Sequence, residues 1–305
     1  MIQKEFVNDG FAIWLTGDVM ETDIHINEWL LPPNNNFIDF GIRIYEVSKV
    51  TNINVFIPFD IKLSDIEDLS YKLSNENIAR GIFNTLCTIK TSSSNPMIEI
   101  DYNNRKENIL GLSFVEIIIK NISYGTIVTF DINNIKKDLT TDEGYLRFRI
   151  PHKSINNLFK SRKKYIRSLI ETPVIKYQYN YTLKINEVRS LPIEVRSISQ
   201  FSQQNIKKII VTVSVSEKYD IDDNEAYKVR QLEEELYTNY VPKKFSCKNI
   251  IMYQWIKNHR KDYNYNFKIF EEEISITSLL EYACIVIILA VLGNILWEVI
   301  KHVIS

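Results

Sequence analysis

The feature that most constrains this chain is a run near its C-terminal end. From Tyr282 to Trp297 no residue is charged, and most positions are Ile, Leu, Val or Ala. Including residues 276–280 gives the roughly 20 mostly apolar residues that a bilayer-spanning helix needs. Glu281 and Glu298 then fall near the two interfaces, and Trp297, Lys301 and His302 read as interfacial anchors. A helix apolar on every face predicts a span rather than the half-buried helix of a soluble domain. Within it, Ala283, Ala290 and Asn294 recur at helical spacing, with Gly293 beside Asn294. Small residues allow close helix approach, and an amide in hydrocarbon seeks a partner. The expected partner is a second copy, so a homo-oligomer in membrane lipid is predicted.

The first residues have neither a basic start nor an apolar stretch. The expectation is therefore a cytoplasmic N-terminal part and a tail anchored once in the cell inner (plasma) membrane. Cys87, Cys247 and Cys284 are scattered and offer neither a disulfide framework nor a zinc pattern. Basic and acidic residues balance at 37 and 38. A nucleic-acid role is thus not imposed by net charge and would require a local patch.

The body reads as strands. Between 174 and 185, Ile175, Tyr177, Tyr179, Tyr181, Leu183 and Ile185 alternate with polar residues, the period of a half-buried strand. Further strands are predicted over 11–15, 38–47, 52–59, 97–102, 110–120, 126–132, 145–150 and 207–214. A last one alternates through Tyr263, Tyr265, Phe267 and Ile269. Many strands without regular intervening helices argue against a doubly wound fold. The predicted class is mainly β: a β-sandwich-like two-sheet soluble domain with short helical inserts, plus one C-terminal transmembrane helix. Helices are expected near 64–67, over 75–84 and 154–169, and over 222–237, where Val229, Leu232 and Leu236 share a seam. The expected divisions are a β-rich domain at 1–215, a connecting extension at 216–274 and the membrane helix at 275–305.

No Walker loop, dinucleotide fingerprint, nucleophile elbow or zinc-protease motif occurs. No enzyme, cofactor or metal site is expected. The acidic pairs Glu67/Asp68 and Asp222/Asp223 are explained as helix starts, and His25 with Asp23 and Glu28 as an ordinary surface group. One local charge anomaly stands out: Lys160, Arg162, Lys163, Lys164 and Arg167 lie within eight residues, with Tyr165 among them. Clustered cations of this kind can hold phosphates, while Tyr165 can stack on a base.

A β-rich body followed by a membrane segment, without an enzyme motif, resembles the membrane effectors of bacterial antiphage defence. That resemblance is one of layout and carries over no residue. It implies a body that senses a nucleotide or oligonucleotide made by a partner enzyme, and an oligomer that permeabilises the membrane as a channel. The basic run is then the candidate ligand site, and Ala283, Ala290, Gly293 and Asn294 the candidate pore or packing face. The rival expectation is a tail-anchored protein-binding scaffold without a pore. A viral envelope protein is a more distant one.

Overall fold

The computed structural model describes residues 9–18, 21–31, 36–91, 96–102, 105–113, 116–133, 136, 141–152, 163–165, 175–198, 205–222, 228–243, 245–259, 262–273 and 276–304. They are mainly β, in several sheets, with short helices and one long C-terminal helix. In chain order the strands are β1 Ala12–Gly17, β2 Glu21–Leu30, β3 Phe37–Ile44, β4 Val50–Ile57, β5 Glu67–Asp68, β6 Cys87–Thr91, β7 Pro96–Tyr102, β8 Arg105–Leu112, β9 Glu116–Ile122, β10 Gly125–Asp131, β11 Gly144–Pro151, β12 Lys163–Tyr165, β13 Ile175–Ile185, β14 Asn205–Ser216, β15 Tyr219–Asp222, β16 Lys228–Gln231, β17 Ile250–Asn258 and β18 Tyr263–Glu273. The helices are α1 Glu76–Phe83, one-turn α2 Ile193–Arg196, one-turn α3 Glu234–Tyr237 and α4 Ile276–Ile304. By contacts the chain forms two compact units that interleave along the sequence. One comprises 1–157, 182–217 and 224–266, the other 158–181, 218–223 and 267–305.

The first unit is built on a broad central sheet in the order β16-β17-β14-β2-β3-β11-β8-β7-β6, with β5 also on β11. Neighbours pair antiparallel except β14 with β2 and β11 with β8. Alternation gives this sheet one apolar face. Across the strands Trp255, Val211, Ile26, Phe40 and Phe148 fall in one row. A second sheet, β1-β4-β10-β9, packs on that face. Phe130 of β10 meets Phe148 at 4.7 Å between ring centres, and Phe11 meets Phe40 at 5.5 Å. This is the predicted sandwich. The far side of the second sheet is closed by Leu191 and Val195 of the α2 segment, packed on Ala12, Trp14, Phe56 and Ile127. Asn75 caps α1 by accepting from the Asn77 and Ile78 amides, and Asn84 ends it in the left-handed region at φ 52°.

In the second unit β12 pairs with β13, and β15 with β18. Glu271, 6% exposed, accepts from the hydroxyls of Tyr179 at 2.5 Å and Tyr219 at 3.3 Å and from Lys218 Nζ at 3.3 Å. A buried carboxylate persists because its lone pairs are filled in this way. α4 belongs to this unit.

Several expectations are corrected. The region 222–237 is not one helix. It contains the end of β15, the strand β16 and the single turn α3. Val229 lies in β16 and is 54% exposed, whereas Leu232 is buried. The 110–120 segment is split between β8 and β9. Glu67 and Asp68 form β5 instead of opening a helix, and Asp222 ends β15. Ahead of β5 stands one 3-10 turn, Leu63–Asp65. Residues 163–165, expected in a helix, are a strand; the remainder of 154–169 lies outside the described residues.

Candidate functional site

The second face of the central sheet carries polar side chains that are buried from Thr212 to Arg149, while Lys228 at the far end is exposed. One cross-strand row runs Lys228, Gln254, Thr212, Asn27, Asp39, Arg149 and Glu67, over seven strands. The next row carries His25, Gly41 and Arg147. Trp29, Phe37, Tyr237, Tyr240, Val241 and Met252 cover part of this face with Ile78 of α1. The buried polar groups of this face must find their partners within the protein.

Asp39 is the hub. Its Oδ1 accepts from Arg149 Nε at 2.6 Å. Its Oδ2 accepts from Arg149 Nη2 at 3.0 Å, Trp29 Nε1 at 3.0 Å and the Tyr240 hydroxyl at 2.7 Å. Tyr240 in turn accepts from Arg147 Nε at 2.7 Å, and its carbonyl accepts from Arg149 Nη1 at 3.2 Å and Lys72 Nζ at 2.5 Å. Arg147 Nη1 donates to Tyr145 Oη at 2.9 Å. Tyr145 Oη also hydrogen-bonds His25 Nδ1, 3.1 Å away, with the imidazole tautomer setting which of the two donates. Gly41 makes this crossing possible, because a Cβ there would lie 2.0 Å from Tyr145 Oη and 2.9 Å from Arg147 Nη1.

The electrostatics fit this order. Burial pushes the His25 imidazole down to about 3, with Arg147 adding to the effect, so the ring is neutral. Burial also opposes the charge on Arg147, but Tyr145, Tyr240 and Asp39 together outweigh it and hold its pKa above the ordinary value. Tyr240 is held far above the usual phenol range, by burial first. The phenols of Tyr145 and Tyr240 remain protonated. Structurally this is a clamp, one that fixes the Tyr237–Tyr240 region to the sheet. A second buried histidine, His152, is likewise pushed to about 3 by burial, although Glu28 Oε1 lies 3.8 Å from its Nδ1.

His25, read as a surface group beside Asp23 and Glu28, is thus a correction: all three are buried in β2. Among the described residues no group of His, Cys, Asp or Glu could hold a metal ion. One open groove of about 470 Å3 is lined by Glu187, Arg189, Lys257, Asp262, Tyr263 and Asn264. Its charges are of both signs, which favours neither an anion nor a cation.

Of the predicted ligand residues, Lys160, Arg162 and Arg167 lie outside the described residues. Lys163 and Lys164 sit in β12, paired with Gln178 and Tyr177. Ala283, Ala290, Gly293 and Asn294 all lie on α4, where Asn294 shares a groove with Ile295, Glu298, Val299 and His302. A Cβ at Gly293 would meet nothing within 4 Å. α4 has 29 residues and rises about 44 Å, more than a hydrocarbon core is thick. Its stretch Ile276–His302 is long and apolar enough to cross a membrane, and none of its most apolar part is buried.

No known protein-family model matches the chain, and no curated protein matches it in sequence.

Proposed function

We propose that this protein is a single-pass membrane effector. Its β-rich body stays on the cytoplasmic side of the inner membrane, and copies of α4 associate in the bilayer and permeabilise it in response to a ligand. The carrying observation is α4 itself: a helix with apolar side chains exposed on every side, such as Leu280, Ile287, Leu292 and Leu296. In water that surface would be far larger than a soluble protein tolerates. In lipid it is solvated.

Association is supported by the pattern on the helix. Ala283, Ala290 and Asn294 share a face, with Glu298 and Lys301 continuing it and lying 4.0 Å apart. One helix cannot enclose a water path, so permeation requires several copies. Asn294 is costly facing lipid and satisfied facing water or a neighbouring helix. On the same reading the Lys160–Arg167 region is where a phosphate-bearing nucleotide or oligonucleotide signal would dock, as in the antiphage effectors that the layout resembles.

The test is dye release from liposomes carrying the full-length protein at increasing density, with and without added oligonucleotides. Release is expected, and Asn294→Leu should reduce it while leaving membrane insertion intact. Liposomes that keep their dye at every density, with the protein monomeric by cross-linking, would assign α4 to anchoring alone and make the body a tail-anchored scaffold.

A further inference from the structure

The second sheet of the sandwich ends on β9, and among the described residues no strand pairs with its outer side. An uncovered edge is a row of free amides and carbonyls that invites pairing. β9 reads Glu-Ile-Ile-Ile-Lys-Asn-Ile. Ile118 is 52% exposed, Glu116 and Lys120 are exposed, and Ile117 and Ile119 are half-buried at the rim of the core.

The register fixes what this edge can take. β9 turns into β10 through Ser123 and Tyr124, with Ile122 opposite Gly125. The closing pair of such a two-residue hairpin is hydrogen-bonded, and bonded pairs then alternate. Residues 116, 118, 120 and 122 therefore point their backbone groups at β10, while Ile117, Ile119 and Asn121 point theirs outward. The geometry points to a second copy of this chain as the occupant, its β9 antiparallel to the first about a two-fold axis through Ile118. That axis pairs outward Ile117 with outward Ile119 of the other copy, as the alternation requires. It also sets Glu116 opposite Lys120 of the other copy, twice. Moving the axis to Ile117 or Ile119 keeps the alternation but loses both ion pairs. Ile117 and Ile119 complete their burial, and the sheet continues from one protomer into the next.

This interface lies in the β-body and stands apart from what α4 does in a membrane. The test uses the full-length chain in detergent with Cys284→Ser, since Cys87 and Cys247 are buried. On the axis, Ile118→Cys faces its own copy across a non-bonded pair, with Cα atoms about 4.5 Å apart, within disulfide reach. Mild oxidation should give a covalent dimer, whereas Ser123→Cys, also at an exposed position, should remain monomeric. In the Ile118→Cys background, Glu116→Lys or Lys120→Glu alone places like charges opposite each other and should cut dimer yield at least several-fold. Combining the two should restore it. An Ile118→Cys yield no higher than that of Ser123→Cys would overturn the pairing, as would a yield indifferent to the reversals or a double reversal that fails to rescue. Dye release without this cross-link, or the cross-link without dye release, separates the failure of one proposal from that of the other.

Discussion

The central sheet and the C-terminal helix invert the usual arrangement in opposite senses. On the sheet's covered face, charged side chains are the interior: Asp39 and Arg147 are both 0% exposed. On α4, apolar side chains are the exterior: Ile287 is 61% exposed and Leu292 56%. The sheet tolerates its charges because each meets a counter-charge or hydrogen-bond partner held at fixed distance. The exposed apolar side chains of α4 instead form a run long enough to cross a membrane. Burial alone therefore says little about what a residue contributes; what surrounds it decides.

The largest expected effect breaks the sheet's side of this comparison. Asp39→Ala removes the acceptor of four donors and leaves Arg149 and Arg147 buried without it. Stability should fall by about 3–5 kcal/mol, as when one partner of a buried pair is lost. Denaturant unfolding of the full-length protein in detergent, followed by tryptophan fluorescence, measures it. The paired variant Asp39→Leu with Arg149→Met should lose less than Asp39→Ala, since no guanidinium is then stranded at that position.

A same-residue comparison sharpens the contrast. Ile26 is 0% exposed in the sandwich core, so Ile26→Ala should cost about 2–5 kcal/mol. Ile287→Ala on α4 should shift unfolding of the body by no more than about 0.5 kcal/mol. Equal losses at the two sites would mean that α4 is packed into protein.

A pH dependence tests the sheet's buried face as a whole. The folded pKa of His25 lies at about 3, below its ordinary value of 6.5. Above pH 6.5 both states are neutral there and nothing changes. As pH falls through 6.5 the unfolded chain gains a proton that the folded chain refuses, so stability declines until about pH 3. His152 acts in the same direction. Midpoints at pH 7.5, 6 and 5 should fall in that order, and His25→Gln should flatten the decline.

Much of the architecture was legible in the sequence. The alternation from Ile175 to Ile185 gave β13, and the uncharged run gave α4. β2 was not legible. Asp23, His25 and Asn27 alternate with Ile24 and Ile26 as a half-exposed strand would, but their polar side turns to a second buried layer instead of water. Nothing local distinguishes these cases, because the partners Tyr145, Asp39 and Tyr240 come from distant segments. Gly41 inside a strand was the one local hint that bulky groups cross there. The 222–237 segment failed for a related reason. A helical spacing of Val229, Leu232 and Leu236 was outweighed by the pairing of β16 with β17.

The most direct measurement is flotation of membranes after an alkaline carbonate wash, comparing the full-length chain with a variant lacking residues 276–305. Integration of α4 predicts that the full-length protein floats with lipid and the truncated one stays at the bottom of the gradient. A full-length protein that is released by the wash and runs as a single monomer in detergent-free buffer would contradict the membrane span.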